Sequence, residues 1–340
     1  MHLCDMTKTL SRLFTPKKLW NASLVFASFY LSKWSQKPKQ LGLPISLSVE
    51  PTTACNLRCP ECPSGLRSFT RPTGNLTPTL FANIIDEQKS TLLYCNFYFQ
   101  GEPFIHPQLL DMIAYANKHH IYTSTSTNAH FITHKNAEAI INSGISRIII
   151  SIDGTTQPVY EQYRKSGELN KVIAGTKALV AAKNKLGKGP LIVFQFLIVK
   201  PNEHQVEDVK KLGKRLGVDK VVFKTAQLYD YVNGNELMPS NEKYSRYKLL
   251  SDGTYVLKNK LLNQCWRLWS SAVITWDGKV VPCCFDKDAK YEMGNIQTQS
   301  FKKIWQNAAY QSFRTNILLA RNKIDICTNC SEGTKVWTND

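Results

Sequence analysis

The chain has 340 residues, of which 43% are hydrophobic, and a formal net charge of +17. This is enough for one large domain or for a domain with an appendage. A basic chain can bind nucleic acid, anionic lipid or phosphorylated substrates, but the lysines here are spread along the sequence without an aromatic–basic repeat. Composition therefore indicates a solvated basic surface and gives no support to a nucleic-acid platform.

The N-terminal residues 1–44 carry one apolar stretch, Leu19 to Leu31, which Asn21, Ser23 and Ser28 interrupt. This stretch is too short and too polar to span a bilayer, and no convincing cleavage site marks a signal peptide. We expect a helical extension that lies on the body of the protein, or alternatively on a membrane surface. The ten cysteines are then expected in a reducing cytoplasm, where they bind metal or do chemistry more often than they form disulfides.

Residues 45–226 alternate between apolar runs and helical patterns. The runs predict six strands, at Ile45–Glu50, Cys95–Gln100, Tyr122–Thr127, Arg147–Ile152, Leu191–Val199 and Lys220–Lys224. Five helices are predicted between them, at Thr77–Ser90, Gln108–His119, His134–Ser143, Leu169–Lys185 and Glu203–Leu216. This order predicts an α/β fold, a partial (β/α)6 barrel with right-handed crossovers. Its chemistry should lie at the C-terminal ends of the strands.

The remaining third of the chain reads differently. Residues 227–264 are polar and rich in tyrosine, which indicates a linker with some helix. Residues 265–333 predict a small α+β domain, which begins with a β-hairpin at Ala272–Trp276 and Lys279–Pro282, joined by a type I′ turn. A helix from about Ser300 to Ala320 follows, and residues 334–340 form a tail.

Three cysteines, Cys55, Cys59 and Cys62, lie in one loop directly after the first predicted strand. A closed zinc site needs four ligands, so zinc here would require a distant fourth one. A cubane iron–sulfur cluster has four irons, and three thiolates leave one iron open. The odd count therefore favours a cluster that binds a ligand at its open iron, as catalytic metal sites do.

The spacing Cys55-x3-Cys59-x2-Cys62, flanked as Cys-Asn-Leu-Arg-Cys, resembles the signature loop of the radical S-adenosylmethionine (SAM) enzymes. The resemblance extends over roughly Ile45 to Gly333. It implies a [4Fe-4S] cluster whose open iron is chelated by SAM. It also implies reductive cleavage of SAM to a 5′-deoxyadenosyl radical, which abstracts hydrogen from a substrate.

The same resemblance assigns SAM-binding roles to residues at the strand ends: Gly101, Glu102, Pro103, Asn128, Ser151, Asp153 and Arg164. The stretch Gln100-Gly-Glu-Pro is similar to the Gly-Gly-Glu-Pro motif that holds the SAM amino group, with glutamine in place of the first glycine. Arg164 is similar to the arginine that pairs with the SAM carboxylate, and Thr127 lines the same pocket beside Asn128. Glu61 stands where many members carry an aromatic residue against adenine, which puts that adenine contact in doubt.

A second set of thiols lies near the C-terminus, at Cys265, Cys283, Cys327 and Cys330. It resembles the start of the SPASM extension, and because no cysteine follows Cys330 it implies one auxiliary [4Fe-4S] cluster, closer to the shorter "twitch" form. Four thiolates close a cluster, which suits electron transfer or structural bracing. A four-cysteine zinc site is the alternative. Cys283 fits the pattern better than the adjacent Cys284, Cys95 is expected in the core, and Cys4 has no assigned role.

The resemblance therefore predicts a radical SAM enzyme of the oxidoreductase or maturase type. Its substrate is either a small alcohol or amino-sugar-like molecule, or a peptide or protein, and a flavodoxin or ferredoxin is the expected electron donor. The alternative is a non-catalytic zinc or iron–sulfur binding protein. No catalytic acid or base is assigned, and the polar candidates near the two sites are Gln195, Lys224, Asp277 and Asp286.

Overall fold

The computed structural model of the chain describes residues 15–330 and the backbone of residues 337–338. Cys4, residues 331–333 of the expected C-terminal domain and most of the expected tail lie outside the described residues. Across the part that is described, no helix is long and apolar enough to cross a membrane.

Six parallel strands pair in chain order and form the centre of the fold. They are β1 (Ser46–Val49), β2 (Tyr94–Asn96), β3 (Tyr122–Thr127), β4 (Arg147–Ser151), β5 (Leu191–Ile198) and β6 (Lys220–Thr225). Every residue of β4 is buried, as expected for a central strand covered on both faces. The predicted α/β fold with a parallel sheet is confirmed.

Helices connect and cover these strands. In chain order they are α1 (Pro16–Ser35), α2 (Pro63–Leu66), α3 (Pro78–Gln88), α4 (Leu109–Lys118), α5 (Ala137–Asn142), α6 (Gln157–Tyr163), α7 (Leu169–Leu186), α8 (Val206–Leu216), α9 (Arg267–Ser270), α10 (Phe301–Gln306), α11 (Ala308–Ala320) and α12 (Asp325–Thr328). Capping residues fix the ends of several of these helices. The Thr77 hydroxyl accepts from the Leu80 amide ahead of Pro78, and Gly217 ends α8 in the left-handed region.

The C-terminal strands extend the same sheet on the far side of β1. Strand β9 (Ser271–Ile274) pairs parallel with β1, β10 (Lys279–Val281) pairs antiparallel with β9, and β11 (Gly294–Asn295) follows. The helices after them share the core of the barrel, since Phe301 and Trp305 pack in the same set of buried residues as Leu47. The segments that carry the two cysteine sets are therefore fixed to one sheet.

Two further pairings complete the strands. Within 227–264 the chain forms the antiparallel pair β7 (Tyr247–Leu249) and β8 (Tyr255–Leu257), where the sequence indicated a linker with some helix. Strand β12 (Trp337–Thr338) pairs antiparallel with β6. The expected domain boundaries at residues 44, 226, 264 and 333 stay predictions.

Three local predictions are wrong. Strand β2 ends at Asn96, four residues before its predicted end. The helix expected from Ser300 to Ala320 is broken at Asn307, which has extended backbone and accepts from the Tyr310 amide, so that it caps α11. The hairpin turn is not type I′, because that turn needs two residues with positive φ and of its turn residues only Gly278 has one.

Candidate active site

The three thiols lie at the C-terminal end of β1, where the sequence places them. Cys59 is buried, and Cys55 and Cys62 are half-buried. Backbone contacts fold the loop tightly, with the Cys62 amide donating to the Cys59 carbonyl at 3.3 Å. A Cβ on Gly65 would lie 2.5 Å from the Cys59 nitrogen, so only glycine allows α2 to approach the loop this closely.

The loop environment disfavours isolated thiolates. Burial raises the pKa of Cys55 to about 12, and it also raises the pKa of Cys59, although Arg164 acts in the opposite direction. Thiolates in such a place need a positive partner, which cluster irons would supply. Among the described residues no three histidine, cysteine or acidic side chains are placed to hold a single metal ion. A cubane takes each thiolate on a different iron, so the donor set fits an incompletely ligated cluster.

Glu102 follows β2, and its side chain bonds to the end of the neighbouring strand β3 beside this loop. Its buried carboxylate accepts from the Thr127 hydroxyl at 2.6 Å and from the Asn128 amide at 2.7 Å, and burial raises its pKa while these donors oppose the rise. The preceding Gly101 has a φ of +75°, and a Cβ there would lie 2.2 Å from the Thr52 carbonyl oxygen. Glycine is therefore required for the turn that presents Glu102.

Asn128 connects this carboxylate to the thiol loop, since its side-chain amide donates to Asn56 Oδ1 at 2.8 Å. Pro103 begins a short 3-10 turn, Pro103–Ile105, whose cap is the Glu102 side chain. Gln100, the departure from the family motif, is buried, and its Oε1 has no hydrogen-bond partner among the described residues. An unpaired buried acceptor beside the motif indicates a position where a bound group could donate.

Arg164 lies directly against the thiol loop, at the end of α6. Its Nε contacts Asp153 Oδ2 at 2.5 Å, and its Nη1 lies 3.6 Å from Cys59 Sγ. Burial opposes the charged form, but Asp153 and Cys59 together raise the pKa of Arg164 well above its ordinary value. The Leu197 amide holds the other oxygen of Asp153 at 2.7 Å. Asp153 therefore fixes a permanently charged guanidinium beside the cluster position.

Ser151 is buried at the end of β4 and lies in register with Gln195 of β5. Lys224 lies on β6, and burial lowers its pKa to about 8. The two aspartates considered for acid–base work have structural partners. Asp286 accepts from the Lys290 and Tyr291 amides. Asp277 accepts from the hydroxyl of Thr275 within the hairpin turn.

Four thiols line a second cavity, and these are the four predicted ones: Cys265, Cys283, Cys327 and Cys330. Apolar side chains, among them Phe285 and Phe313, form much of the remaining wall. Burial raises the pKa of Cys327 to about 11, and Arg321 Nη2 donates to Cys330 Sγ at 3.3 Å. A cavity with four convergent thiols fits a closed cluster.

The adjacent residues Cys283 and Cys284 lie in different environments. Cys283 lines the four-thiol cavity, whereas Cys284 packs with Val281, Ala289 and Phe99 outside it. Cys95 is fully buried in the core, as expected.

Sequence reasoning missed the contacts that several residues around the thiol loop make. Glu61 accepts from the Tyr229 amide at 2.9 Å and from the Asn235 side chain at 3.4 Å, so it ties the following segment to the loop beside Cys62. Glu50 and Arg71 form a buried two-bond ion pair at 2.6 and 2.8 Å. The only sequence signal for Glu61 was its residue type, because an acidic residue stands where the family often has an aromatic one. The Glu50–Arg71 pair gave none, because its members are far apart in the chain.

Comparison with known proteins agrees with this geometry. The model of the radical SAM superfamily matches residues 49–213, and the model of the SPASM iron-sulfur cluster-binding domain matches residues 265–331. A tungsten-containing aldehyde ferredoxin oxidoreductase cofactor-modifying protein from Pyrococcus furiosus is 26% identical, over 84% of this chain and 86% of that one. The mycofactocin maturase MftC of Mycobacterium ulcerans is 27% identical, over 79% of this chain and 76% of that one.

Among solved structures, Streptococcus suis SuiB bound to the precursor peptide SuiA covers 93% of this chain and 76% of its own, with a TM-score of 0.62 and 15% identity. That likeness concerns the fold. The chain belongs to the radical SAM superfamily and carries a SPASM-type domain. It is accordingly an enzyme whose cofactors are SAM, a SAM-binding [4Fe-4S] cluster and auxiliary iron–sulfur, which confirms the predicted class.

Proposed function

We propose that this enzyme abstracts a hydrogen atom from a peptide substrate, as a maturase. The observation that carries its radical chemistry is the convergence of three thiols, the Arg164 guanidinium and the Glu102 carboxylate at the C-terminal edge of one parallel sheet. When bound, the cluster and SAM supply an electron and a 5′-deoxyadenosyl radical. The side chains of this protein hold and orient the cluster, SAM and substrate, and they shield the reaction from water.

The roles of the rim residues follow from charge and position. Glu102 is the acceptor for the SAM ammonium, because a buried carboxylate held by Thr127 and Asn128 can add a charge-assisted hydrogen bond. Arg164 is the partner of the SAM carboxylate, and Asp153 positions it. Gly101 and Pro103 shape the turn around Glu102, while Asn128 and Ser151 line the pocket. Cys55, Cys59 and Cys62 hold the cluster.

The thiols of the four-thiol cavity would hold one auxiliary [4Fe-4S] cluster, which would supply electron transfer. Cys265, Cys283, Cys327 and Cys330 would satisfy all its irons, so no position is left for a substrate. The apolar wall lowers the local dielectric and keeps water away, conditions that suit electron transfer more than ligand exchange. We place the reaction in the cytoplasm, with a flavodoxin or ferredoxin as electron donor.

Two comparisons favour a peptide over a small molecule. One relative is named a maturase, and the SuiB structure holds a precursor peptide on a fold that covers most of this chain. The competing substrate class is a small alcohol or amino sugar. Both classes would use the same SAM site, so the choice between them rests on the experiment.

The test uses anaerobically reconstituted full-length protein, reduced with dithionite and supplied with SAM. We expect 5′-deoxyadenosine from the wild type and none from Cys59→Ala. Deuterated peptides encoded beside the gene are then compared with a panel of deuterated alcohols and amino sugars. Deuterium in 5′-deoxyadenosine from a peptide supports the proposal. Transfer from the small molecules alone would assign the competing class, and an iron-loaded wild type that never cleaves SAM would refute both.

A further inference from the structure

Helix α1 is amphipathic in the reverse sense to most surface helices. Its buried residues are mainly polar: Lys18, Asn21, Val25, Ser28 and Ser32. Its exposed side carries large apolar residues: Leu19, Trp20, Phe26, Tyr30, Leu31 and Trp34. Trp34 is 86% exposed and Trp20 is 67% exposed. Surface helices normally turn their apolar stripe toward the core, so this arrangement needs a reason.

Hydrogen bonds fix the polar side of α1 to the body. Lys18 Nζ donates to the His120 carbonyl at 2.8 Å. Asn21 exchanges two bonds with the backbone of Leu43, at 2.8 and 2.9 Å. Ser32 Oγ accepts from the indole of Trp269 at 3.1 Å. With these partners the helix cannot rotate its aromatic side inward without leaving buried polar groups unpaired. Phe26 and Phe29 also pack on Trp266 of the body. The outward direction of Trp20, Tyr30 and Trp34 is therefore built into the fold.

The exposed apolar residues form a line along the helix. Trp20, Ala27 and Trp34 are spaced by seven residues, or two turns, and so share one face. Leu31 and Tyr30 flank this line on its two sides. The fifteen residues from Trp20 to Trp34 span about 21 Å along the helix axis. A straight stripe of this length matches a plane better than it matches a pocket for one side chain.

The charge around the stripe has a single sign. Lys17, Lys33, Lys37 and Lys39 are exposed on and just after α1, and no acidic residue occurs between Asp5 and Glu50. Tryptophan and tyrosine favour the boundary between headgroups and acyl chains, and lysines beside them attract anionic headgroups. Two copies of this helix, in contrast, would bring lysines against lysines.

We propose that α1 docks the enzyme on an anionic phospholipid surface, with Trp20, Tyr30 and Trp34 in the headgroup boundary and the flanking lysines on the phosphates. The proposal concerns a helix that contains none of the residues assigned to the SAM site, and it is independent of the substrate class proposed above. It predicts peripheral, salt-sensitive attachment. The helix lies along the bilayer surface while its polar side stays bound to the body.

The test is co-sedimentation of the iron-loaded full chain with two kinds of vesicle, an equal mixture of phosphatidylglycerol and phosphatidylcholine, and phosphatidylcholine alone. We expect binding to the mixed vesicles only, weakening as salt is raised above about 0.1 M. The triple variant Trp20→Ser, Tyr30→Ser, Trp34→Ser should lower the bound fraction about tenfold. Replacing Lys17, Lys33, Lys37 and Lys39 by glutamine should lower it by a similar factor.

Matched control variants distinguish binding through α1 from nonspecific binding through exposed apolar residues or overall charge. Val232→Ser, Leu249→Ser, Leu250→Ser removes three exposed apolar residues elsewhere and should leave binding within about twofold of the wild type. Glutamine at the four exposed lysines Lys177, Lys188, Lys214 and Lys248 matches the charge change outside α1. Melting temperature and SAM cleavage without vesicles show that each variant is folded. If the triple variant unfolds, Trp34→Ser alone should still weaken binding measurably.

Three outcomes would overturn the proposal. The first is no binding of the wild type to the mixed vesicles. The second is equal loss of binding in the lysine variant and its matched control, which would assign attachment to overall charge. The third is concentration-dependent self-association that the triple variant abolishes, without vesicle binding, which would assign the stripe to a second copy of the chain.

Discussion

The three-cysteine loop and the four-cysteine cavity share their basic chemistry and differ in what surrounds them. In both, burial raises the pKa of thiols, as for Cys59 and Cys327. In both, one arginine lies on one thiol, Arg164 at 3.6 Å from Cys59 Sγ and Arg321 at 3.3 Å from Cys330 Sγ. Each site thus gathers buried thiols close to positive charge, Arg164 at the loop and both Arg267 and Arg321 in the lining of the cavity. The difference between the two sites must come from their other neighbours.

Apart from these arginines, the neighbours are polar at one site and apolar at the other. Glu102, Asn128 and Asp153 stand beside the three-cysteine loop with carboxylates and amides that can orient a charged ligand. Leu268, Phe285, Phe313, Ile317 and Ile326 stand around the four thiols. A site short of one thiolate needs groups that hold a reactant, whereas a site with four needs insulation. The number of cysteines and the polarity of the walls therefore give the same assignment independently.

The strongest test of this contrast is Cys59→Ala. We expect iron to fall by about four per chain and formation of 5′-deoxyadenosine to fall to background, because the open cluster is lost. Iron analysis and chromatography of the products measure both quantities. Retained SAM cleavage in this variant would show that the reactive cluster lies elsewhere.

Adjacent cysteines provide the second test. Cys283→Ala should remove about four irons and stop turnover of the substrate, while SAM cleavage at the other site persists. Cys284→Ala is the matched control and should change neither quantity, because its thiol packs with Val281 and Ala289 outside the cavity. Iron analysis and electron paramagnetic resonance of the reduced proteins distinguish the two. The reverse result would exchange the roles of the two residues.

The ion pair between the two regions is the third test. Arg71 binds Glu50 at the end of β1 and also donates to the Lys287 carbonyl, close in sequence to the cysteines of the second site. Arg71→Ala should lower the free energy of unfolding by about 3–5 kcal/mol, because it leaves a buried carboxylate unpaired. Denaturant titration measures this change. The double variant Glu50→Gln, Arg71→Met is the control and should recover most of the loss.

The Arg71→Ala effect should depend on pH in a known direction. Burial raises the pKa of Glu50, and Arg71 opposes that rise in the wild type. Without Arg71 the folded state binds a proton more tightly than the unfolded state does, so stability falls as pH rises through the interval between the two pKa values. The loss should therefore be larger at pH 8 than at pH 5. An equal loss at both would mean that Glu50 does not carry the effect.

Glu102→Gln tests the polar wall of the three-cysteine site with a smaller change. The substitution removes the charge that we propose to face the SAM ammonium, and a hydrogen bond to a charged group contributes about 1.5–3 kcal/mol. We expect SAM affinity to fall about 10- to 100-fold while the iron content stays at the wild-type level. Equilibrium binding of SAM to the iron-loaded proteins measures the effect. Asp111→Asn, an acid in the first turn of α4, is the control, and an affinity loss as large there would contradict the assignment.

Much of this contrast could be predicted from the sequence because its signals are local. The three-cysteine spacing, the turn at Gly101-Glu102 and each of the strands β3 to β6 are patterns that a short stretch of sequence contains in full. The pairing of β9 with β1 could not be predicted, because Ser271 and Ser46 are joined by no short-range pattern. The resemblance assigned both Arg164 and Cys59 to the SAM site, but their direct contact could not be predicted, because the two residues are 105 positions apart in the chain.

The reversed side of α1 was missed for a different reason. The apolar residues between Leu19 and Leu31 do predict a helix, and the helix does lie on the body as expected. Periodicity alone does not say which side is buried, and the usual rule would place Trp20 and Tyr30 inside. The buried side is determined by the hydrogen bonds of Asn21, Ser28 and Ser32. Their partners are the backbone amides of Leu43, Leu41 and Lys39, which only the three-dimensional structure reveals.

Arg321→Gln tests the remaining similarity between the sites, the arginine on a thiol. Arg321 also donates to the carbonyls of Leu262 and Gln264, so glutamine removes the charge from a fixed position. Hydrogen bonds and positive charge near the sulfurs favour the reduced, more negative cluster. We therefore expect the potential of the auxiliary cluster to become more negative, with the SAM-binding cluster unchanged. Redox titration monitored by electron paramagnetic resonance separates the two. Arg321→Lys keeps the charge and should shift the potential less, so an equal shift in both variants would mean that packing, and not charge, sets this potential.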